Sequence, residues 1–388
     1  MRLLLGLAGL LAAMTTTVAA KPRTVAPEVL ALIQDDDPYP LPRGLSAEER
    51  AQWRLPDLSR LPYAPPPGHV RAQAEYEDNS GILVRWGSQN ALLTQMTVAI
   101  TTGDSDARVY VVTTGTSQQN SAAATLSGAG ANMNQVSFVS QACTSGCSVW
   151  MRDYGPRFIE TNGRRGAVDH VYNRPRPVDD AFPSVWATYS GEAKYDIPLT
   201  HGGGNFHLFR NRDAFMTRLI VNENPGLSEQ QIKDYYRDYQ GLELTLTDPF
   251  PASYDSTQHI DMWMLPLADG KVLISQHAST DGVPYTVTED TAAQMAGRGY
   301  TVYRTPAWRS GGAHYTYANA VLLNKVALVC QFSGYPTQNA AALATFQSAL
   351  PERSVVGVDC SGIIGLAGAI HCIVMHVPDL LFRDDLEP

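Results

Sequence analysis

Beyond its first twenty residues the chain has no uninterrupted apolar run near the roughly 18 residues a membrane-spanning helix needs. Positive charge is also scarce, with 29 Lys and Arg against 38 Asp and Glu among 388 residues. That balance argues against nucleic acid or an anionic membrane as partner and mildly favours a cationic ligand, although many exported proteins are simply acidic. Only five cysteines occur, and no second Cys/His pair stands at ligand spacing to complete a metal site with Cys143 and Cys147. No G-x-S-x-G elbow is present, which removes the esterase reading that "HGGG" at 201–204 invites. What is there, 44% hydrophobic and 17% charged residues, suits a globular chain of enzyme size.

Residues 1–20 have a short basic start at Arg2, the apolar run "LLLGLAGLLAAM" and the small-residue ending "TTTVAA". This is a signal-peptide pattern with cleavage expected after Ala20, so a secreted or periplasmic location follows. Cleavage removes Arg2 and leaves 28 basic against 38 acidic residues, a net charge of −10. Residues 21–70 are rich in proline and charge, with one helical stretch, "SAEERAQWR", for which Ser46 is a fitting N-cap. They read as an extended arm that wraps or precedes the main domain at 71–388. The "DDD" at 35–37 reads as a solvated acidic cluster rather than a calcium site.

An oxidising compartment would pair four of the five cysteines and leave one over. Cys143 and Cys147 suit a local bridge, while Cys330 ends "VALVC" and Cys360 follows "SVVGVD", two strand-like runs that could be neighbours. Four cysteines allow three connectivities, so this pairing is a preference. Cys372, in the strand-like "GAIHCIVM" beside His371, is then the free thiol. From residue 71 onward, turn signals at "TNGR" (161–164), "NRDA" (211–214), "ADGK" (268–271) and "LNKV" (323–326) recur every 50 to 57 residues. Helical patterns such as "LSEQQIKDYYRDYQ" and "AALATFQSAL" lie between them. The expectation is an α/β chain of repeated hairpin-plus-helix units around a centre, with an open α/β sheet as the alternative.

Three polar constellations stand out. In "VWMRDYGPRF" (149–158), Asp153 precedes a Gly-Pro turn that it could simply be holding. In "HGGGNFH" (201–207), three glycines let a backbone approach a ligand or make a bulge, and His201 and His207 could be taken for metal ligands. In "STQHIDMWM" (256–264), a strand would project His259 and Asp261 to one face, as a site or as a surface pair. Together they make one chemistry. A thiol with a free pKa of about 8.5 is activated by a nearby imidazolium. Cys372 supplies that thiol and His259 moves protons. Two carboxylates beside a thiolate suit a planar cation, and guanidinium fits, with Trp150 offering a ring face.

"WMRDYGP", "GGGNF", "HID" and "GAIHC", in that order, resemble the motifs of the agmatine deiminase and bacterial peptidylarginine deiminase group of guanidino-group-modifying enzymes. The resemblance begins near "AEYEDNSGILVRW" and implies a five-bladed, pseudo-symmetric α/β propeller (pentein) with one catalytic domain. It implies that Cys372 attacks a guanidinium carbon held by Asp153 and Asp261. His259 then protonates the leaving ammonia and activates water, without metal or cofactor, to give a ureido product. "YNRPRP", with Arg174 and Arg176, is similar to the peptidylarginine branch, where such arginines clamp the carboxylate of a C-terminal arginine; a charged turn is the alternative. Asn319 matches a substrate-contacting position of that branch. Two departures stand out: His207 and Arg210 follow the glycine motif where an acidic residue is expected, and Ala369 stands where agmatine deiminases usually carry Asn. The expected partners are arginine-containing peptides or proteins. Agmatine or free-arginine hydrolysis is the alternative, followed by a non-catalytic arginine-peptide binder. The C-terminal immunoglobulin-like and sorting domains of some relatives are not expected.

Overall fold

The computed structural model describes residues 21–58, 61–144 and 146–379, so the signal-peptide reading of residues 1–20 lies outside it. All four turn signals are hairpins. Thr161 pairs with Arg164 across "TNGR", joining Arg157–Thr161 to Arg164–Tyr172. Asn162 and Gly163 take φ of 51° and 69° there, the left-handed pair a two-residue hairpin needs. The other three turns join His207–Leu208 to Asp213–Thr217, Met264–Ala268 to Lys271–Gln276, and Val321–Leu322 to Val326–Gln331.

Each hairpin feeds a helical segment that returns the chain as a strand parallel to the hairpin's second strand. The parallel partners are Ala193–His201, Glu243–Thr247, Thr301–Pro306 and Ser354–Asp359. A fifth unit of this kind is built from both ends of the described chain. Met375–Pro378 pairs antiparallel with Asn79–Arg85, which runs parallel to Arg108–Thr113. That pairing brings the Cys372 region to the start of the main domain. The sheets stay separate, five of three or four strands and one of two, so the open-sheet alternative is not formed among the described residues.

Helix Glu229–Gln240 shows why these sequences fold locally as they do. Ser228 and Gln231 close a capping box at its start, and Gly241 ends it at φ 71°. Ile232, Tyr236 and Tyr239, spaced four and three apart, turn one face inward and are buried. The disulfides follow the preferred pairing: Cys143–Cys147, and Cys330–Cys360 linking the ends of the parallel strands Val326–Gln331 and Ser354–Asp359, with Cys372 free.

The segment before residue 70 lies against the rest. Val25 packs with Val98 and Ala129. Asp35 accepts a hydrogen bond from Asn90 N–H, and Asp36 one from the Gln118 amide, which gives two acids of the "DDD" cluster protein partners. Helix Ala47–Gln52 starts at Ser46, the expected N-cap, and Glu49 completes a capping box there. Between these anchors the chain passes through the interior, where Arg43 is fully buried.

Candidate active site

Asp153 sits on the short helical turn Met151–Tyr154, which Gly155 and Pro156 end. The bend is tight: a Cβ on Gly155 would lie 2.5 Å from the Met151 carbonyl oxygen. Asp153 therefore lies on the turn without holding it: its carboxylate faces inward, away from Gly155 and Pro156 and towards the Gly204 N–H.

His259 and Asp261 are not on a strand, contrary to the alternation argument. Residues Ile260–Met262 form a 3-10 turn with His259 at its N-cap. Cys372 lies likewise on the 3-10 turn His371–Ile373, just before strand Met375–Pro378 rather than within it. In both runs apolar composition suggested a strand, but the chain turns inward at the polar residues.

Gly204 ties the two carboxylates together. Its N–H donates to Asp153 Oδ1 at 3.0 Å and its carbonyl accepts from Asp261 N–H at 3.2 Å. A Cβ there would lie 2.7 and 2.9 Å from oxygens of Asp261 and Asp153, and one on Gly202 would lie 2.7 Å from the His259 ring. The glycine run is thus the close-approach element its sequence suggests. His201 and His207 do not form a metal pair: His201 accepts a hydrogen bond from Tyr236 or donates one to it, and stacks on His170.

A guanidinium occupies the centre of this arrangement, and it belongs to Arg43. Its Nε and Nη2 each donate to Asp153 at 2.9 Å. Nη1 and Nη2 donate to the two oxygens of Asp261 at 3.0 and 2.8 Å. Nη2 also meets His259 Nδ1 at 2.8 Å. Because a guanidinium only donates, Nδ1 accepts and the ring proton belongs on Nε2. Sequence reasoning missed Arg43. Its only signal was an arginine inside an otherwise extended "PLPRGL".

Cys372 lies beside the same cation. Its Sγ accepts from the Asn319 amide at 3.0 Å and the Ala369 N–H at 3.4 Å, and stands 3.6 Å from Asp261 Oδ2. Asn319, expected to contact substrate, also braces the turn that carries Cys372, its Oδ1 accepting from His371 N–H at 3.0 Å. His371 spans Asp261 and Glu75 at 3.0 and 2.8 Å, and Glu75 also holds Arg152. Glu75, His207 and His371 bring possible ligand atoms within 4.8 Å of one another, but Glu75 and His371 are already hydrogen-bonded together.

Burial disfavours every charge here, and the pairing decides the outcome. It works against the Asp153 carboxylate, yet Arg43 and His259 lower its pKa to about 2. Asp261 is likewise held below the usual range against its burial, chiefly by Arg43 and His371. Burial pushes the Cys372 thiol well up, while the Arg43 cation pulls it down. Burial, with Arg43 adding to it, lowers His259 to about 4. The expected imidazolium is therefore absent with Arg43 in place, and no hydrogen bond joins His259 to Cys372 among the described residues. The positive charge next to the thiol is the guanidinium.

Trp150 does not stack on that guanidinium. Its indole N–H donates to the Leu41 carbonyl at 2.9 Å. Arg174 and Arg176 are buried rather than a charged surface turn. The Arg176 N–H bonds the Arg174 carbonyl at 2.8 Å, so "RPR" turns instead of extending, yet both side chains reach one segment. Arg174 Nε donates to the carbonyl of Arg43 at 3.1 Å. Arg176 donates to the carbonyls of Pro42 and Gly44 and pairs with Glu49 at 2.7 Å.

A thiol, a histidine and two carboxylates around a guanidinium delimit the chemistry, and comparison with known proteins decides the family. The profile of the Porphyromonas-type peptidyl-arginine deiminases matches residues 71–378. The chain belongs to that family. It is an enzyme of the deiminase type, a hydrolase of guanidino C–N bonds. A Legionella pneumophila protein named "Putative agmatine deiminase" is 26% identical over 251 residues, covering 59% of this chain and 72% of that one. Among solved structures, the agmatine deiminase of Enterococcus faecalis superposes with a TM-score of 0.68 at 19% identity, over 80% of this chain and 96% of that one. The agmatine deiminase of C. jejuni gives 0.67 at 16% identity, over 80% and 96%. These likenesses show that the mixed α/β fold is that of the pentein deiminases.

Proposed function

We propose that the protein deiminates arginine in peptides to citrulline and ammonia, with arginine at a peptide's C-terminus preferred. One observation carries the peptidyl part. The arginine bound between Asp153 and Asp261 belongs to a polypeptide, and buried donors meet its main chain as well as its side chain. Arg174 stands at the carbonyl of that arginine, where a C-terminal residue would present its carboxylate. Agmatine carries no carboxyl group, so two buried guanidiniums there would repel its amine. The curated relatives' agmatine names favour the second reading, a small-molecule deiminase.

In the mechanism we propose, the substrate's cation lowers the pKa of the Cys372 thiol, so binding and activation are one event. Cys372 Sγ bonds to the guanidinium carbon, and the C–N bond to the nitrogen beside His259 breaks. The thiol proton leaves with that nitrogen as ammonia, relayed through His259. Water then attacks the thiouronium carbon and the C–S bond breaks, restoring the thiol. The remaining proton converts ammonia to ammonium, leaving a ureido group. Asp153 and Asp261 stay ionised throughout and hold the nitrogens. Residues 71–388 would form the catalytic domain, with the five hairpin units as propeller blades around the site and residues 21–70 as an extension. The two disulfides support an exported, oxidised location. Ammonia release should be measured with agmatine, arginine, a peptide ending in Arg and the same peptide with Arg internal. The peptide ending in Arg is expected to be fastest; faster turnover of agmatine would overturn the peptidyl reading.

A further inference from the structure

The segment that delivers Arg43 is held along its main chain as a bound peptide would be. Trp150 donates to the carbonyl of Leu41, and Arg176 to those of Pro42 and Gly44. The Arg43 N–H donates to the Leu366 carbonyl at 3.0 Å, and its own carbonyl accepts from Arg174. Six residues on, the Glu49 carboxylate takes Arg176 Nε at 2.7 Å and Nη2 at 3.0 Å. Helix Ala47–Gln52 and its capping box fix Glu49 in that position. Space allows no second occupant: the Arg43 guanidinium uses both carboxylates, and a methyl on Gly204 would lie 1.7 Å from its Nη2. Any other guanidinium must first replace this one.

We propose that the catalytic cleft is a peptide-binding site whose resident ligand is the chain's own segment 41–49. Arg43 fills the guanidinium subsite and Glu49 the Arg176 subsite, and external arginine peptides are turned over only when the segment withdraws. Turnover rests on the proposed deiminase function; the occupancy does not. A tethered ligand competes at an effective concentration on the order of millimolar, so a dilute peptide meets a latent enzyme. The apparent affinity of that peptide falls by the fraction of molecules whose cleft is open. Segment 41–49 also states which ligands the cleft accepts: an arginine in a main chain that bends at that residue, with an acidic group within reach of Arg176.

The test uses the full chain and two independent readouts. Wild type, Arg43→Ala and Glu49→Gln are compared for alkylation of Cys372 by iodoacetamide and for citrulline formed from a peptide ending in arginine. Circular dichroism verifies that all three are folded, and Glu49→Gln leaves the catalytic centre untouched if Arg43→Ala does not fold. Faster alkylation in both variants is expected, by about tenfold or more for Arg43→Ala, with a parallel rise in citrulline. Equal alkylation in all three would overturn the occupancy. Faster alkylation with no citrulline from any of them would uphold the occupancy and remove the deiminase reading. Equal citrulline from all three would keep the deiminase reading and overturn latency. Peptide mapping of wild type should return residue 43 as arginine; citrulline there would make the segment a substrate and overturn its role as resident ligand.

Discussion

At the scale of single residues, charge rather than shape carries the site. Asp153→Asn and Asp261→Asn keep nearly the same outline but lose an ionic, two-pronged partner for a guanidinium in a buried setting. Losing one such charge typically costs a few kcal/mol, so kcat/KM should fall about hundredfold or more in each. A near-normal value in either variant would remove that carboxylate from the reaction. Cys372→Ala should abolish citrulline formation with the fold intact, since no other cysteine is free. Residual turnover by a folded Cys372→Ala protein would rule out the thiouronium route. Gly204→Ala tests shape instead. Its methyl would fall within 2.7 to 2.9 Å of both carboxylates and still closer to the bound cation. Displacing reacting groups by about 1 Å can cost on the order of hundredfold in rate, and that is the loss expected. Unchanged kcat/KM would mean that the substrate's guanidinium lies elsewhere.

Elements place these residues, and two of them can be tested as units. The Cys330–Cys360 bridge spans 30 residues, including helix Pro336–Ala349, and ties neighbouring parallel strands. Constraining an unfolded loop of that length is worth about 3–4 kcal/mol in the chain-entropy account. A Cys330→Ala/Cys360→Ala protein should therefore unfold at clearly lower urea than wild type, and an unchanged midpoint would mean the bridge does not form in solution. The second unit is the "RPR" turn. In an Arg43→Ala background, Arg174→Ala and Arg176→Ala should raise KM for a peptide acid more than they lower kcat, because they touch the main chain and not the reacting carbon. C-terminal amidation of the substrate should reproduce that loss with both arginines present. Equal KM for acid and amide would refute the carboxylate clamp.

For the whole molecule, buried histidines govern the response to acid. Burial lowers His170 and His259 to about 4 and His207, His277 and His376 to about 3, with His201 also well down. Their ordinary value is about 6.5, so below that pH the unfolded chain binds protons that the folded chain refuses. Each such proton removes about 1.4 kcal/mol of stability per pH unit until the folded value is reached. Burial raises Asp169 and Asp179 to about 6, Glu223 to about 7, and Asp180 as well, and these act in the opposite direction. Six histidines against four carboxyls leave a net loss on acidification of at least about 1.4 kcal/mol per pH unit between pH 6 and 5. Urea midpoints at pH 7, 6 and 5 should fall in that order, and a higher midpoint at pH 5 would contradict the assignment.

The sequence by itself determined what local rules can express. The four hairpin turns, the N-cap at Ser46, the disulfide preference and the free thiol all rest on neighbouring residues or on counting. Motif order named the family and the Cys372, His259, Asp153 and Asp261 set. Tertiary structure alone decided how those residues meet. His259, Asp261 and Cys372 lie on short turns because the chain bends inward to bury polar groups against partners over a hundred residues away. No periodicity records such a bend. The charge of His259, the pull on the thiol and the roles of Glu75 and Asn319 follow from burial and from distant neighbours. Arg43 is the clearest case. Its sequence context is an extended, proline-rich stretch, and only the path of that stretch through the fold places its guanidinium 110 residues from Asp153 in sequence and 2.9 Å from it in space.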